Sequence, residues 1–190
     1  MNENTFTIRK YRAGDKENVI KVLYETSSLP VETEEQRSFL RLMYNDYYTQ
    51  QEADNCFVVA DGEDNAVGYI ICAEDFRRYE KIFKEKYLPE IKALGKNYLG
   101  MAKGEMLVHK FYRNSYPAHL HIDILPLCQG KGAGTQLVNA LTDHLKDKGI
   151  EGLMLSCGMN NKKAVKFYKK NNFKVLMNFF GSCLMGKEIK

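Results

Sequence analysis

The stretch Leu125-Pro126-Leu127-Cys128-Gln129-Gly130-Lys131-Gly132-Ala133-Gly134-Thr135 sets three glycines at alternate positions around a lysine and an alanine. Pro126 stops an apolar run, and the glycines lead into an amphipathic segment, so the order is strand, turn, helix. The first N–H groups of a helix have no intrahelical partner and lie at its positive end. Glycine lets a bulky anion approach them without an intervening Cβ, and Lys131 adds a mobile positive charge. The chemistry available is that of a phosphate cradle. A glycine-rich turn without a ligand has the same composition, and these residues alone leave both readings open. Two well-known cradles are excluded by spacing. No G-x-x-x-x-G-K-[ST] string exists, and G-x-G-x-x-G fails from Gly130 because position 135 is Thr and from Gly132 because position 137 is Leu.

Directly upstream, His119, His121 and Asp123 alternate along His119-Leu120-His121-Ile122-Asp123-Ile124-Leu125. Strand geometry puts all three on one face. They form either a polar cluster able to move a proton or a core histidine satisfied by Asp123, and the two readings weigh equally. Cys157 is either a nucleophile or a small core residue, and no adjacent base is evident for the first role. Phe167-Tyr168 reads as a pair of core aromatics or as an aromatic with a working hydroxyl. Lys162, Lys163, Lys166, Lys169 and Lys170 make a solvated helix face with a cation or two to spare for an anion.

The elements that must position these groups follow from periodicity. Thr5 to Arg12 alternates as a strand, and Asp15 is placed to cap a helix carrying Val19, Ile20 and Leu23. Thr33-Glu34-Glu35-Gln36 has capping-box form and precedes the stripe Phe39, Leu40, Met43, Tyr47. Cys56–Ala60 and Ala66–Ala73 flank a turn cluster and predict a hairpin. Asp75 offers a cap for a helix with Phe76, Tyr79, Phe83 and Tyr87, which Pro89 kinks or ends. Glu105 to Tyr112 reads as a strand, and 119–125 as a strand buried on both faces. After the glycine turn comes a helix with Leu137, Val138, Leu141 and Leu145, closed by Lys146, Lys148 and Gly149. A strand from Gly152 to Ser156, a helix from Asn161 to Asn171 and an antiparallel pair across Phe173–Met185 complete an α/β alternation.

With 190 residues, 44% apolar and 27% charged, the chain has the size and mix of a single soluble globular domain, residues 1–190. No apolar run nears the roughly 20 residues of a membrane span. The opening MNENTFTIRK lacks the apolar core of a signal peptide, so the expected location is cytoplasmic. Five cysteines without a C-x-x-C pair argue against a disulfide framework and against a metal site. A net charge of +4 suits an anionic small ligand but supplies no basic stripe for nucleic acid.

Gln129-x-x-Gly132-x-Gly134 between a strand and a helix resembles the acyl-CoA pyrophosphate loop of the GNAT superfamily of N-acyltransferases. Asn161-x-x-Ala164-x-x-Phe167-Tyr168-x-x-x-Asn172-Phe173 is similar to that superfamily's N-x-x-A-x-x-F-Y-x-x-x-G-F helix, with Asn172 where glycine is usual. Asn is the next-best residue for a left-handed helix end, so the departure is mild. The string from His119 to Pro126, with helices around Asp75 to Leu88, also resembles the acetyltransferase-like domain of O-GlcNAc hydrolases and its free-standing bacterial relatives. The resemblance implies a mixed α/β (α+β) fold: a mostly antiparallel central sheet of about six to seven strands flanked by helices, with a helical insertion at about 74–118 between strands 3 and 4. It implies an N-acetyltransferase that moves an acetyl group from acetyl-CoA to a primary amine by direct attack. Acetyl-CoA would be a co-substrate and no metal would take part.

In that scheme the backbone of Ile124 and Leu125 aligns the pantetheine and polarises the thioester carbonyl. The loop Gln129, Gly130, Lys131, Gly132, Ala133, Gly134 and Thr135 holds the pyrophosphate. Asn161, Ala164, Phe167 and Tyr168 meet the pantetheine arm, and Tyr168 protonates the departing thiolate. His121 is the base and Asp123 its orienting partner, these two lying nearest the acyl group. The partners are acetyl-CoA and an unidentified amine acceptor, with no nucleic acid and no membrane; relatives are commonly homodimers. The alternative is a catalytically silent acyl-CoA-binding or protein-interaction module, against which stand the retained Gly130, Gly132, Gly134 and Tyr168.

Overall fold

The computed structural model describes residues 6–179 and 181–190. Thr5, where the first strand was expected to begin, and Phe180, inside the expected closing pair, lie outside the described residues. The chain has a mixed α/β fold in which a seven-stranded, mostly antiparallel sheet is flanked by helices. The strands are β1 (Thr7–Lys10), β2 (Phe57–Ala60), β3 (Ala66–Ala73), β4 (Ala118–Ile124), β5 (Gly152–Gly158), β6 (Lys174–Phe179) and β7 (Ser182–Glu188). Their order in the sheet is β1-β2-β3-β4-β5-β7-β6. The ladder between β4 and β5 is parallel and joins Ala118 to Leu153 and His119 to Met154. The pairings β1–β2, β2–β3, β5–β7 and β6–β7 are antiparallel. The helices are α1 (Lys16–Thr26), α2 (Glu34–Arg41), α3 (Tyr47–Gln51), α4 (Phe76–Ile82), α5 (Leu88–Leu94), α6 (Lys96–Lys110), α7 (Ala133–Asp147) and α8 (Lys162–Lys170). The chain forms two compact units. One contains the described residues up to Cys72 with His121–Asp143, and the other Ala73–Leu120 with the described part of His144–Lys190.

In the first unit, Thr33 Oγ1 accepts the Gln36 N–H at 3.3 Å and Gln36 Oε1 accepts the Thr33 N–H at 3.0 Å, which is the expected capping box. Asp15 departs from its expected role. Its carboxylate takes the Arg12 N–H at 2.8 Å and pairs with Arg9 at 2.7 Å, so it ties down the turn before α1 rather than capping the helix itself. Between α2 and α3 the chain makes a wide turn of π geometry, Leu42–Asp46. The reason lies in the spacing of the side chains. Phe39-Met43-Tyr47 and Leu40-Tyr44-Tyr48 repeat every four residues. On a regular helix of 3.6 residues per turn, each such row would drift about 40° per step. One wider turn reduces the drift and keeps Phe39, Met43 and Tyr47 all buried.

The second unit repeats the device. Phe76, Tyr79, Phe83, Tyr87 and Ile91 are buried, and a wide turn, Phe83–Tyr87, separates α4 from α5. Pro89 sits in the first turn of α5, where its missing N–H costs least. The insertion between β3 and β4 is helical as expected, but Glu105–Tyr112 is not a strand. It belongs largely to α6, where Ala102, Met106 and His109 are buried at helical spacing. Gly100 and Gly104, exposed on this helix, dilute the apolar period and leave only a short alternating run visible in the sequence. Gly149, at φ +72°, ends α7 by donating to the Lys146 carbonyl, while the Ile150 N–H reaches Leu145. Asn172 takes the left-handed conformation, φ +66°, that its place after α8 requires.

Candidate active site

The glycine loop lies in the first unit. After β4, Pro126–Cys128 makes one tight turn, and Gln129 through Gly132 are exposed. Gly130 and Gly132 have φ of +76° and +87°, a region that L side chains rarely occupy. A Cβ would meet nothing within 4 Å at Gly130 and only Gln136 Nε2 at 3.9 Å at Gly132. Glycine is required here by backbone conformation, not by crowding. The first intrahelical bond runs from the Gln136 N–H to the Gly132 carbonyl at 3.1 Å, so the N–H groups of Ala133, Gly134 and Thr135 precede the regular ladder of α7. The loop thus sets exposed backbone at Gly130, Lys131 and Gly132 against the positive end of a long helix, a setting that favours an anion, while Ala133 at the start of the helix is buried. Gln129 is engaged differently, its Nε2 donating to the Ile124 carbonyl at 2.8 Å and bracing the loop against the strand.

The backbone of β4 distinguishes its last positions. Leu125 N–H donates to the Val67 carbonyl at 3.0 Å and is committed to β3. Alternation turns the N–H of Ile124 to the opposite edge of the strand. Of the two backbone positions expected to polarise a thioester, Ile124 carries the donor that does not face β3.

His121 and Asp123 are both half-buried, and their hydrogen bonds go to different tyrosines. His121 Nε2 lies 3.0 Å from the hydroxyl of Tyr48, and the rings of Tyr44 and Tyr48 meet the imidazole edge-on at 5.0 and 5.2 Å. Tyr69 donates to Asp123 Oδ2 at 2.6 Å, and the Thr26 hydroxyl stands beside the same carboxyl. Asp123 therefore takes its orientation from Tyr69 and Thr26, where the sequence pointed to a histidine. Removal from water pushes the Asp123 carboxyl up to about 6, against the opposing pull of these two hydroxyls.

A raised carboxyl has a stability signature. The folded chain holds the proton up to about pH 6, whereas the unfolded chain releases it near 3.8. Folding thus takes up a proton between those values, and stability falls as pH rises through that window. Asp123→Asn, which cannot ionise, should be more stable than the parent at pH 8 by about 3 kcal/mol and differ from it by less than about 1 kcal/mol at pH 4. Urea unfolding at the two pH values measures this, and an equal difference at both would refute it.

In the second unit, Asn161 caps α8 by accepting the Ala164 N–H at 3.0 Å, so its side chain holds the helix that carries Tyr168. Tyr168 is 8% exposed and packs edge-on against Phe167 at 5.3 Å and Phe173 at 5.7 Å. Ala164 and Phe167 are half-buried. His119 is a core residue, 2% exposed, ringed by Phe76, Tyr79 and His109 at 5.4, 4.5 and 5.3 Å. Cys157 faces Cys183 across the β5–β7 ladder, and burial pushes its thiol up to about 11. Burial thus disfavours the thiolate that a nucleophile would need. All five cysteines are free. Among the described residues no helix is long and apolar enough to cross a membrane.

A model of the acetyltransferase (GNAT) family matches residues 20–173. Among solved structures, SsHAT is similar over 98% of this chain and 99% of its own, at 24% identity and a TM-score of 0.87. The Drosophila melanogaster polyamine N-acetyltransferase, an enzyme that forms N-acetylagmatine, covers 97% and 100% at 14% identity and a TM-score of 0.69. The PaiA N-acetyltransferase from Thermoplasma acidophilum, in complex with coenzyme A, covers 97% and 99% at 18% identity and a TM-score of 0.61. At such identities the structural likeness speaks to the fold.

Proposed function

Because the chain belongs to the acetyltransferase (GNAT) family, we propose that it acts as one N-acetyltransferase domain, moving an acetyl group from acetyl-CoA to a primary amine by direct attack in a ternary complex. The observation that carries this reading is the loop 129–135, with Gly130 and Gly132 at positive φ directly before α7. Its donors suit the pyrophosphate of coenzyme A, and Lys131 adds charge. The Ile124 N–H suits a developing thioester oxyanion, and Leu125 secures the strand against β3. Asn161, Ala164 and Phe167 serve the pantetheine arm through α8.

An alkylamine with a pKa near 10.4 is neutral in only about one molecule in 2,500 at pH 7. A base is therefore useful, and His121, steadied by Tyr48, draws the proton from the acceptor. Nitrogen bonds to the thioester carbon, the carbon–sulfur bond breaks, and Tyr168 protonates the departing thiolate. The net change converts ammonium and acetyl-CoA into amide, CoA thiol and one proton. Five free cysteines suit a reducing compartment, and the reading places the reaction in the cytosol.

Titration calorimetry with acetyl-CoA should give a dissociation constant in the range of about 1 μM–1 mM. Thioester loss across a panel of amines should then reveal turnover. Binding without turnover for any amine would favour a silent acyl-CoA-binding module, and absence of heat would remove the reading altogether.

A further inference from the structure

Between Phe76 and Arg113 ten lysines and arginines stand against four glutamates, a surplus of six in a chain whose whole net charge is +4. The insertion therefore carries all of the molecule's positive excess, and the remainder is slightly acidic. Helix α6 sets part of that charge out in order. Lys96, Lys103 and Lys110 recur every seven residues, so they form one row that drifts by only about 20° per step around the helix. Lys110 is held by Glu80 at 2.7 Å. Lys96 and Lys103 are exposed, and among the described residues no acid forms an ion pair with either.

A second row runs beside the lysines. Gly100, Gly104, Leu107 and Phe111 follow one another at steps of four, three and four residues, the spacing of a seam by which one helix packs against another. All four are exposed, Leu107 at 45% and Phe111 at 63%. Phe111 lies just past the end of α6 but keeps helical backbone, φ −65° and ψ −28°, and so extends the row. Ala102, Met106 and His109 are buried on the opposite side of the helix. The glycines point the same way as the exposed apolar pair. Each disfavours a helix relative to alanine. Neither has positive φ, and a Cβ added at either would meet nothing within 4 Å. The folded chain has no use of its own for glycine at these positions. A second helix laid along the seam does, because residues without side chains let two backbones approach closely.

The charge pattern separates the possible occupants. A second copy of this chain would set one lysine row against another in an antiparallel pair, and against the positions of Met101 and Val108 in a parallel one, so it supplies no acid. A lipid surface rewards bulky apolar side chains, and two of the four seam positions carry none. We propose that this face of α6 docks an acidic amphipathic helix of another protein. Its apolar row lies over the notch at Gly100 and Gly104 and against Leu107 and Phe111, and its carboxylates pair with Lys96 and Lys103. The inference stands whether or not the domain transfers acyl groups.

The test uses the full chain and a synthetic peptide of about three heptads with Leu at its seam positions and Glu on both flanks, whose own charges oppose self-association. Its fluorescence anisotropy should rise on adding the chain, with a dissociation constant below about 100 μM, and its helical circular dichroism should increase. Lys96→Glu combined with Lys103→Glu should weaken binding about tenfold or more and remove most of its salt dependence. Leu107→Ser combined with Phe111→Ser should weaken it as much and keep the salt dependence, with the fold intact because both side chains are exposed. Gly104→Gln should raise the midpoint of thermal unfolding and yet weaken binding, a split that a merely structural glycine would not give. Absence of binding, or equal binding of a scrambled peptide of the same composition, overturns the proposal. Tighter binding to phosphatidylserine vesicles that the Leu107→Ser, Phe111→Ser chain loses would assign the face to a membrane, and self-association lost in that variant would assign it to a second copy; either result overturns the proposal.

Discussion

Gly132→Glu should abolish acetyl-CoA binding while leaving the fold in place. Space is not the obstacle, since a Cβ at this position meets only Gln136 Nε2 at 3.9 Å. The backbone is one obstacle: at φ +87° an L residue is strained by about 1–2 kcal/mol, which a folded domain tolerates. The charge is the larger one. A carboxylate about 4 Å from a phosphate charge costs about 4 kcal/mol at an effective dielectric of 20, and a diphosphate presents more than one charge. The loss of affinity should exceed about 10³-fold, since each 1.4 kcal/mol is a factor of ten. Gly132→Ala separates the two effects, because it carries the strain without the charge and should lose less than about tenfold. Calorimetry with circular dichroism as a check on folding decides the matter, and a Glu variant that binds within a factor of two of the parent would show that the diphosphate lies elsewhere.

For Tyr168→Phe, turnover should fall about 10²-fold, toward the lower end of what general acid–base groups contribute, with KM for acetyl-CoA nearly constant. The ring is retained, so its edge-on contacts with Phe167 and Phe173 persist and stability should change by less than about 1 kcal/mol. The modest size follows from the leaving group. A thiol near the reference value of about 8.5 departs tolerably as thiolate, and the deficit should shrink further as pH rises past that value. Steady-state kinetics from pH 7 to 9.5 measures both features. A parallel loss in kcat and in affinity for acetyl-CoA, unchanged with pH, would make Tyr168 a packing residue only.

The features legible in the sequence are those whose partners lie a few residues apart. Thr33 and Gln36 form a reciprocal cap, Gly149 ends a helix, and Asn172 takes the left-handed turn in place of glycine; each is settled by chemistry within one turn of chain. The glycine loop is legible for the same reason. Failure came where the decisive neighbour is remote. His121 meets Tyr48 across a separation of 73 residues and Asp123 meets Tyr69 across 54, and nothing at either end announces the pairing. Alternation put the right side chains on one face but could not say which hydroxyls stand opposite. The stretch Glu105–Tyr112 misled for a different reason: two exposed glycines upstream hide the helical period, so its short apolar run looks like a strand.

The wide turn at Leu42–Asp46 takes up one residue more than an ordinary helical turn and thereby sets which side chains surround His121. Winding the same residues as a regular helix would turn the row that carries Tyr48 by up to about 100° about the axis and carry its hydroxyl off the imidazole, whereas deleting one residue would remove the surplus and leave the downstream faces where they are. Insertions and deletions in this segment are thus absorbed or expressed at the imidazole according to whether the winding changes with them.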